Sequence, residues 1–277
     1  MVTTRSQDKN QEPSSGDKRS HSKATPAKPR KPDKKQQKTE PSDAAEASEQ
    51  GTGYGKDASN ASKKQPNPKI QQLISQYGEL PLSQTDLSDP DKPTSDTVLA
   101  LVLNAMLSST RISHAIAAKT VALVIKAGYH KLDVLKKSTW EERTEVLTEG
   151  GYTHYREKTA TMMGDLAELI EDKYKGDLNT ILGLADENPT KIRAELKQIK
   201  GLGDVGINIF FDTAQHIWPC LAPFVDPRSL KTAEAIGIGS DVDALWLEVS
   251  ENAEQMCRLA SALTKLRLDG KVKEFKD

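Results

Sequence analysis

The residues best suited to chemistry lie in the stretch IKGLGDVGINIFFD, residues 199–212, where Gly201, Gly203 and Gly206 form a G-x-G-x-x-G pattern. Two kinds of phosphate site use such a pattern. In a dinucleotide site the glycines follow a strand and open a helix. In a hairpin of two helices they let the backbone offer free N–H groups to a phosphate oxygen. The element that precedes Gly201 decides between the two.

That preceding element is predicted to be a helix. Asn188 is a favourable N-cap, and Pro189 suits the first helical position. Three apolar residues continue at helical spacing: Ile192, Leu196 and Ile199. A dinucleotide site is therefore excluded, and we expect a helix, a tight turn and a second helix. Gly201 and Gly203 can take positive φ, and Gly206 can pack closely. The turn either holds a phosphate or is a plain helical corner.

The remaining elements needed to position this turn are also helical. From residue 66 onwards, apolar periodicity predicts about ten helices and no strand, so the fold class is all-α. Residues 97–110 are apolar nearly all round and are predicted to form a buried central helix, which Asp96 is placed to cap. Residues 241–268 are predicted to form one closing helix.

The first 65 residues differ from the rest in composition. Residues 1–65 carry 14 Lys and Arg against 9 Asp and Glu and almost no large apolar side chains. Such a segment is expected to be a disordered basic tail, and 66–277 the helical domain. The tail is either a nucleic-acid-binding arm or nuclear address, or a solvated linker. The remainder has 25 basic and 31 acidic residues, which is mild evidence against a dedicated DNA-binding protein.

Several classes are excluded by what the sequence lacks. Two cysteines, Cys220 and Cys257, are too few for a disulfide framework or a four-cysteine metal site. Three histidines lack metal-ligand spacing: His114, His154 and His216. No stretch approaches about 18 uninterrupted apolar residues, and the polar start shows no secretory signal. We therefore expect an intracellular protein without a membrane partner or a protein-bound metal.

Four motifs, spread over about residues 96–240, resemble the endonuclease III-like helix-hairpin-helix (HhH-GPD) superfamily of DNA glycosylases. The stretch 199–206 is similar to the family's hairpin, and Phe224-Val225-Asp226 resembles its apolar pair and catalytic aspartate. AMLSST at 105–110 is similar to the segment that ends the family's early buried helix. Gly150-Gly151-Tyr152, before the helix with Lys158, resembles a further family segment.

The resemblance implies a two-lobed helical fold and a base-excision DNA glycosylase. The hairpin would grip double-stranded DNA, a damaged or mismatched base would be flipped out, and Asp226 would support cleavage of its N-glycosidic bond. Val205 stands where bifunctional members place a Schiff-base lysine, so a monofunctional enzyme is implied. Only Cys257 follows Asp226, which excludes an iron–sulfur cluster. The family's monovalent cation would bind at the carbonyl groups of 199–202; no other cofactor is implied.

The DNA contacts implied by the resemblance are the hairpin residues and the end of the central helix. They are Gly201, Leu202, Gly203, Asp204, Val205 and Gly206, with Thr110 or Arg111 as the wedge that fills the space of the flipped base. A monomer in the nucleus is expected.

Three observations leave alternatives open. Asp226 before Pro227 is also an ordinary N-cap. The hairpin carries Asp204, which repels DNA unless it caps the second helix. The 21 residues from Val205 to Asp226 are slightly more than usual. The rivals are a non-catalytic DNA-binding relative and a helical scaffold that does not touch DNA.

Overall fold

The computed structural model describes residues 67–276, and every regular element among them is helical, which confirms the all-α prediction. The predicted disordered tail and its proposed roles lie outside the described residues. The elements are α1 Pro68–Tyr77, α2 Ser95–Ser108, α3 His114–Lys126, α4 Leu132–Lys137, α5 Trp140–Glu149, α6 Arg156–Tyr174, α7 Thr180–Leu184, α8 Pro189–Leu196, α9 Asp204–Ala214, the 3₁₀ turn Pro219–Leu221, α10 Pro227–Ala235, α11 Val242–Glu248, α12 Ala253–Leu268 and α13 Val272–Lys276.

α2 is the buried central helix that its apolar composition predicts. Its residues from Thr97 to Leu103 are all buried, and it packs against α3 and α9. The predicted cap was wrong, because the helix begins one residue before Asp96. The hydroxyl of Thr94 accepts a hydrogen bond from the Thr97 amide at 3.1 Å, and Asp96 falls in the first turn.

The predicted closing helix is two helices, α11 and α12. The chain breaks at Ser250 and Glu251, whose φ angles of 56° and 53° are left-handed. The next residue, Asn252, then caps α12 by accepting a hydrogen bond from the Gln255 amide at 2.9 Å. A polar side chain that binds the backbone locally offers an alternative to a continuous helix, and apolar periodicity does not register it.

The apolar side chains form two hydrophobic clusters. The first cluster gathers the buried residues of α2 to α9, and the second gathers those of α1 and α10 to α12. α1 joins the second cluster by packing Ile70 and Leu73 against α12, and each such burial contributes about 2 kcal/mol. α9 of the first cluster packs directly on α12 of the second. The segment between α9 and α10 therefore runs along the junction of the two clusters.

None of the helices in residues 67–276 combines the length and the apolar character that crossing a bilayer requires.

Candidate nucleic-acid interface and its buried carboxylate

The glycine stretch forms the predicted turn between α8 and α9. Gly201 has a φ of +86°, a left-handed conformation that favours glycine, and a Cβ there would displace the flexible end of Met162, whose sulfur would lie 2.5 Å away. Gly203 is the N-cap of α9 with a φ of −81°, and it does not need the positive φ that its position suggested. A Cβ at Gly206 would lie 2.8 Å from Leu202 Cδ1 of the turn and 3.5 Å from the carbonyl oxygen of Ala105 on α2, so Gly206 packs against both the turn and α2.

At its exposed side the turn leaves backbone N–H groups that find no acceptor among residues 67–276. The first amides of a helix have no intrahelical acceptor, and Gly203 has no side chain to supply one. Asp204 and Val205 hold these first positions, and both are exposed. Leu202, in contrast, points into the first cluster and is buried. Of the six predicted contact residues in the hairpin, Leu202 and Gly206 are therefore buried, and the other four are exposed.

Asp204 does not cap α9, so the capping role considered for it was wrong. It occupies the first helical position, and its carboxylate instead pairs with Lys197 at 2.8 Å. Hydrogen bonding and charge from Lys197 lower the pKa of Asp204 below 3.8. Lys200 pairs similarly with Asp165 at 3.0 Å. Exposed pairs of this kind contribute at most about 1 kcal/mol, so these lysines can exchange their carboxylate for a phosphate.

The end of α2 lies beside the hairpin. Ser109, the C-cap of α2, has its hydroxyl oxygen 3.4 Å from where a Gly206 Cβ would stand. Thr110 donates its hydroxyl hydrogen to the Leu107 carbonyl oxygen at 3.0 Å, which ties it to the helix end. Arg111 is exposed. Of the two wedge candidates, Thr110 is therefore hydrogen-bonded to the end of α2, and Arg111 is not.

Asp226 begins α10 as an N-cap, and its carboxylate is closed off from solvent. The residue is 2% exposed. Oδ1 accepts hydrogen bonds from the Arg228 amide at 2.7 Å and from Arg228 Nε at 2.9 Å, and Oδ2 accepts one from Nη2 at 3.0 Å. Burial by itself raises the pKa of Asp226, but the Arg228 bonds and charge outweigh it and lower the pKa below 3.8. The carboxylate is therefore ionised and paired with Arg228.

Two polar residues, Asp212 of α9 and its C-cap Gln215, hold the segment that leads to Asp226. The Asp226 amide donates to Asp212 Oδ1 at 2.8 Å. The Gln215 side chain binds both backbone groups of Phe224, donating to its oxygen at 2.9 Å and accepting from its amide at 3.1 Å. The sequence analysis predicted neither role. The pattern that could have indicated them is the polar pair Asp212 and Gln215, three residues apart in the otherwise apolar stretch NIFFDTAQHIW.

A second arginine completes this cluster. Arg267 on α12 interacts electrostatically with Arg228, Asp226 and Asp212, and its buried Nε finds no acceptor among residues 67–276. Asp212 is itself buried, and this burial raises its pKa well above 3.8. Burial therefore disfavours the ionised form of Asp212. We call Asp212, Asp226, Arg228 and Arg267 the junction cluster.

Other groups give no sign of a reactive centre. Cys257 is fully buried, and this burial raises the pKa of its thiol, which disfavours the reactive thiolate. Among residues 67–276 no group of His, Cys, Asp and Glu is arranged to hold a metal ion. A groove of about 510 Å³ lies between the end of α3 and helices α4 and α5, lined by residues such as Tyr129 and Val134, and Asp226 is not among its lining residues.

Comparison of the chain with family models, with curated proteins and with solved structures finds no match.

Proposed function

We propose that this protein is a DNA glycosylase that binds duplex DNA at the Gly201–Gly206 hairpin and hydrolyses the N-glycosidic bond of a damaged or mismatched base with Asp226. The proposal rests on one observation, the position of α9 between the hairpin and Asp226. One end of this helix offers exposed amides, and the other end holds Asp226 through Asp212. A single rigid element thus links a phosphate-binding turn to a carboxylate.

The hairpin supports backbone binding rather than base reading. Free N–H groups at a helix N-terminus favour an anion through both hydrogen bonding and the helix dipole. Lys197 and Lys200, both in exposed ion pairs beside the turn, can add charge-assisted contacts. Contacts of this kind position a protein on DNA without specifying sequence.

The length of α9 suits a single DNA segment. Asp204 and Asp212, which binds the Asp226 amide, lie eight residues apart on α9, and this corresponds to about 12 Å of helix rise. The same distance covers about three to four steps of 3.4 Å along a DNA strand. A strand held at the hairpin can therefore bring a nearby nucleotide towards the end of α9 that holds Asp226.

Hydrolysis is favoured over lysine-dependent strand cleavage. Val205, the residue at the position of the Schiff-base lysine, is 45% exposed and has no nucleophile. A carboxylate that is ionised can stabilise a cationic sugar and orient a water molecule. The expected product is an intact strand with an abasic site.

The test is incubation with a panel of lesion-bearing duplexes, with and without alkali. We expect strand breaks only after alkali. Asp226→Asn should abolish base release while leaving the fold intact, since Asn also caps helices well. Asp269→Asn, at the exposed end of α12, is the matched control and should keep wild-type activity. Undiminished base release by Asp226→Asn would exclude the mechanism.

A non-catalytic DNA-binding protein is the second candidate, and the closure of Asp226 by Arg228 favours it. Salt-sensitive binding to duplex DNA without base release from any lesion would identify that protein. Absence of any binding at low salt would leave only a helical scaffold.

A further inference from the structure

The two guanidinium groups of the junction cluster, where α9, α10 and α12 meet, are not equally paired. Arg228 forms an ion pair with Asp226. Arg267 interacts electrostatically with Asp226 and Asp212 but forms no ion pair with either among residues 67–276. Burial raises the pKa of Asp212 and so disfavours its ionised form.

A hydrogen-bond donor of this cluster is also unsatisfied. Arg267 Nε is buried and has no acceptor among residues 67–276. The oxygens of Asp226 are taken by Arg228, and Asp212 Oδ1 is taken by the Asp226 amide. Buried donors in folded proteins are nearly always paired, so an unpaired guanidinium donor indicates a missing acceptor.

The cluster is accessible from outside. The Arg228 side chain is 46% exposed although the carboxylate that it binds is buried, so the guanidinium lies between Asp226 and solvent. Arg267 is partly exposed as well. An anion arriving from solvent therefore meets the Arg228 guanidinium before it meets Asp226.

We propose that Arg228 and Arg267 form a binding site for one phosphodiester group of DNA, and that this phosphate draws Arg228 away from Asp226. The proposal rests on the proposed function for the identity of the anion. Arginine binds phosphate through two parallel hydrogen bonds, as it binds carboxylate, so the exchange conserves the geometry of the guanidinium contacts. In the free protein Arg228 keeps Asp226 occupied, and bound DNA makes the carboxylate available.

The first test measures DNA binding without any chemistry. The probe is a duplex with a tetrahydrofuran abasic analogue, titrated against the full chain at several salt concentrations. Arg228→Gln and Arg267→Gln should each weaken binding about ten-fold, as loss of a charged hydrogen bond does. The double variant should lower the slope of log affinity against log salt by about one.

Lys231→Gln is the matched control, since Lys231 is an exposed cation on α10, the helix of Arg228. It should change the salt slope less than the double variant does. A double variant that folds, as judged by circular dichroism, and retains the wild-type slope would overturn the proposal.

A second test observes the two arginines directly in the wild-type protein. The Nε–H signals of Arg228 and Arg267 are followed by nitrogen-15 NMR in the wild-type protein, with the single variants used only for assignment. Both signals should shift on addition of the abasic-analogue duplex. Shifts that inorganic phosphate alone produces, with none from DNA, would assign the site to free phosphate and overturn the proposal.

These outcomes separate the inference from the proposed function. If the protein releases no base but the double variant lowers the salt slope, the phosphate site is supported and the glycosylase activity is excluded. If the protein releases base normally but both arginine variants bind DNA unchanged, the glycosylase activity is supported and the phosphate site is excluded.

Discussion

Asp226 keeps its negative charge inside the protein because three N–H groups of Arg228 bind it. A buried carboxylate without such partners takes up a proton, since desolvation disfavours the charged form. The backbone amide of Arg228 and its guanidinium together reverse that tendency. The protonation state of the proposed catalytic group thus depends mainly on one neighbouring residue, Arg228, with a smaller contribution from the charge of Arg267.

We expect Arg228→Met to raise the pKa of Asp226. The substitution removes the guanidinium contacts and charge that lower this pKa, and it leaves the burial that raises it. In the wild-type protein the lowered pKa contributes stability above about pH 3.8 that is lost as the pH falls through the lowered value. In the variant, the contribution of Asp226 ionisation to the free energy of unfolding becomes smaller or changes sign. Carbon-13 NMR of the aspartate carboxyl signals measures the shift, with Lys231→Met as the control. An unchanged titration of Asp226 would contradict the role given to Arg228.

Residues whose effect is local were predictable from the sequence. Gly201 in a tight turn and Asp226 as the cap before Pro227 follow from backbone rules that involve only nearby positions. The pairing of Arg228 with Asp226 was not predicted, although the two are close in sequence, because a long flexible side chain has many rotamers. The role of Arg267 was not predictable from the sequence either, because only the packing of α12 brings this residue to the cluster.

At the scale of elements, α9 determines the geometry of the candidate site. Its N-terminus forms the exposed side of the hairpin, and its later turns hold the Phe224 backbone and the Asp226 amide. Gly206 near its start allows it to approach α2. Displacement of this helix would move the turn and the carboxylate together.

We expect Gly203→Asp to weaken DNA binding without loss of stability. A Cβ at Gly203 meets no atom within 4 Å, and the extended backbone there suits any residue. Aspartate is a better N-cap than glycine by a few tenths of a kcal/mol, so the unfolding free energy should stay equal or rise. The same carboxylate occupies the free amides and repels a phosphate, which should reduce affinity for duplex DNA by about ten-fold or more.

Gly203→Asn is the matched variant, because it fills the same amides without adding charge. Its loss of affinity should be smaller than that of Gly203→Asp, and denaturant titrations should show both proteins folded. Wild-type affinity in the aspartate variant would mean that DNA does not contact the hairpin.

The helices themselves show where sequence patterns succeed and fail. α8 was predictable because Asn188, Pro189 and a regular apolar spacing agree. The division of residues 241–268 into two helices was not predictable, because the apolar periodicity continues on both sides of Ser250 and Glu251. The grouping of α1 with α12 also escaped prediction, because a contact across the length of the domain leaves no local pattern.

At the scale of the whole molecule, the junction of the two clusters contains its most unusual electrostatics. Asp212 is buried where α9 faces α12, and burial raises its pKa well above the ordinary value of 3.8. Between those two pKa values the folded protein retains a proton that the unfolded chain releases. The free energy of unfolding therefore falls by about 1.4 kcal/mol per pH unit in this interval.

We expect Asp212→Asn to become progressively more stable than the wild type as the pH rises above about 4. Asparagine keeps an oxygen that can accept the Asp226 amide, but it does not titrate. The advantage should stop growing once the pH exceeds the raised pKa of Asp212. Urea unfolding of both proteins at several pH values measures this difference. A difference that stays constant with pH would mean that Asp212 titrates normally.

α1 has a partner that lies far along the chain. The Gly78 carbonyl oxygen at its C-terminus accepts a hydrogen bond from Arg258 of α12, and 180 residues separate the two. A ribosome adds about 5–20 residues per second, so α12 emerges roughly 9–36 s after α1. During that interval Ile70 and Leu73 have no surface to cover them. Among the helices of residues 67–276, the first to be synthesised is thus among the last to be secured, and a chaperone that holds it would act before α12 is made rather than after.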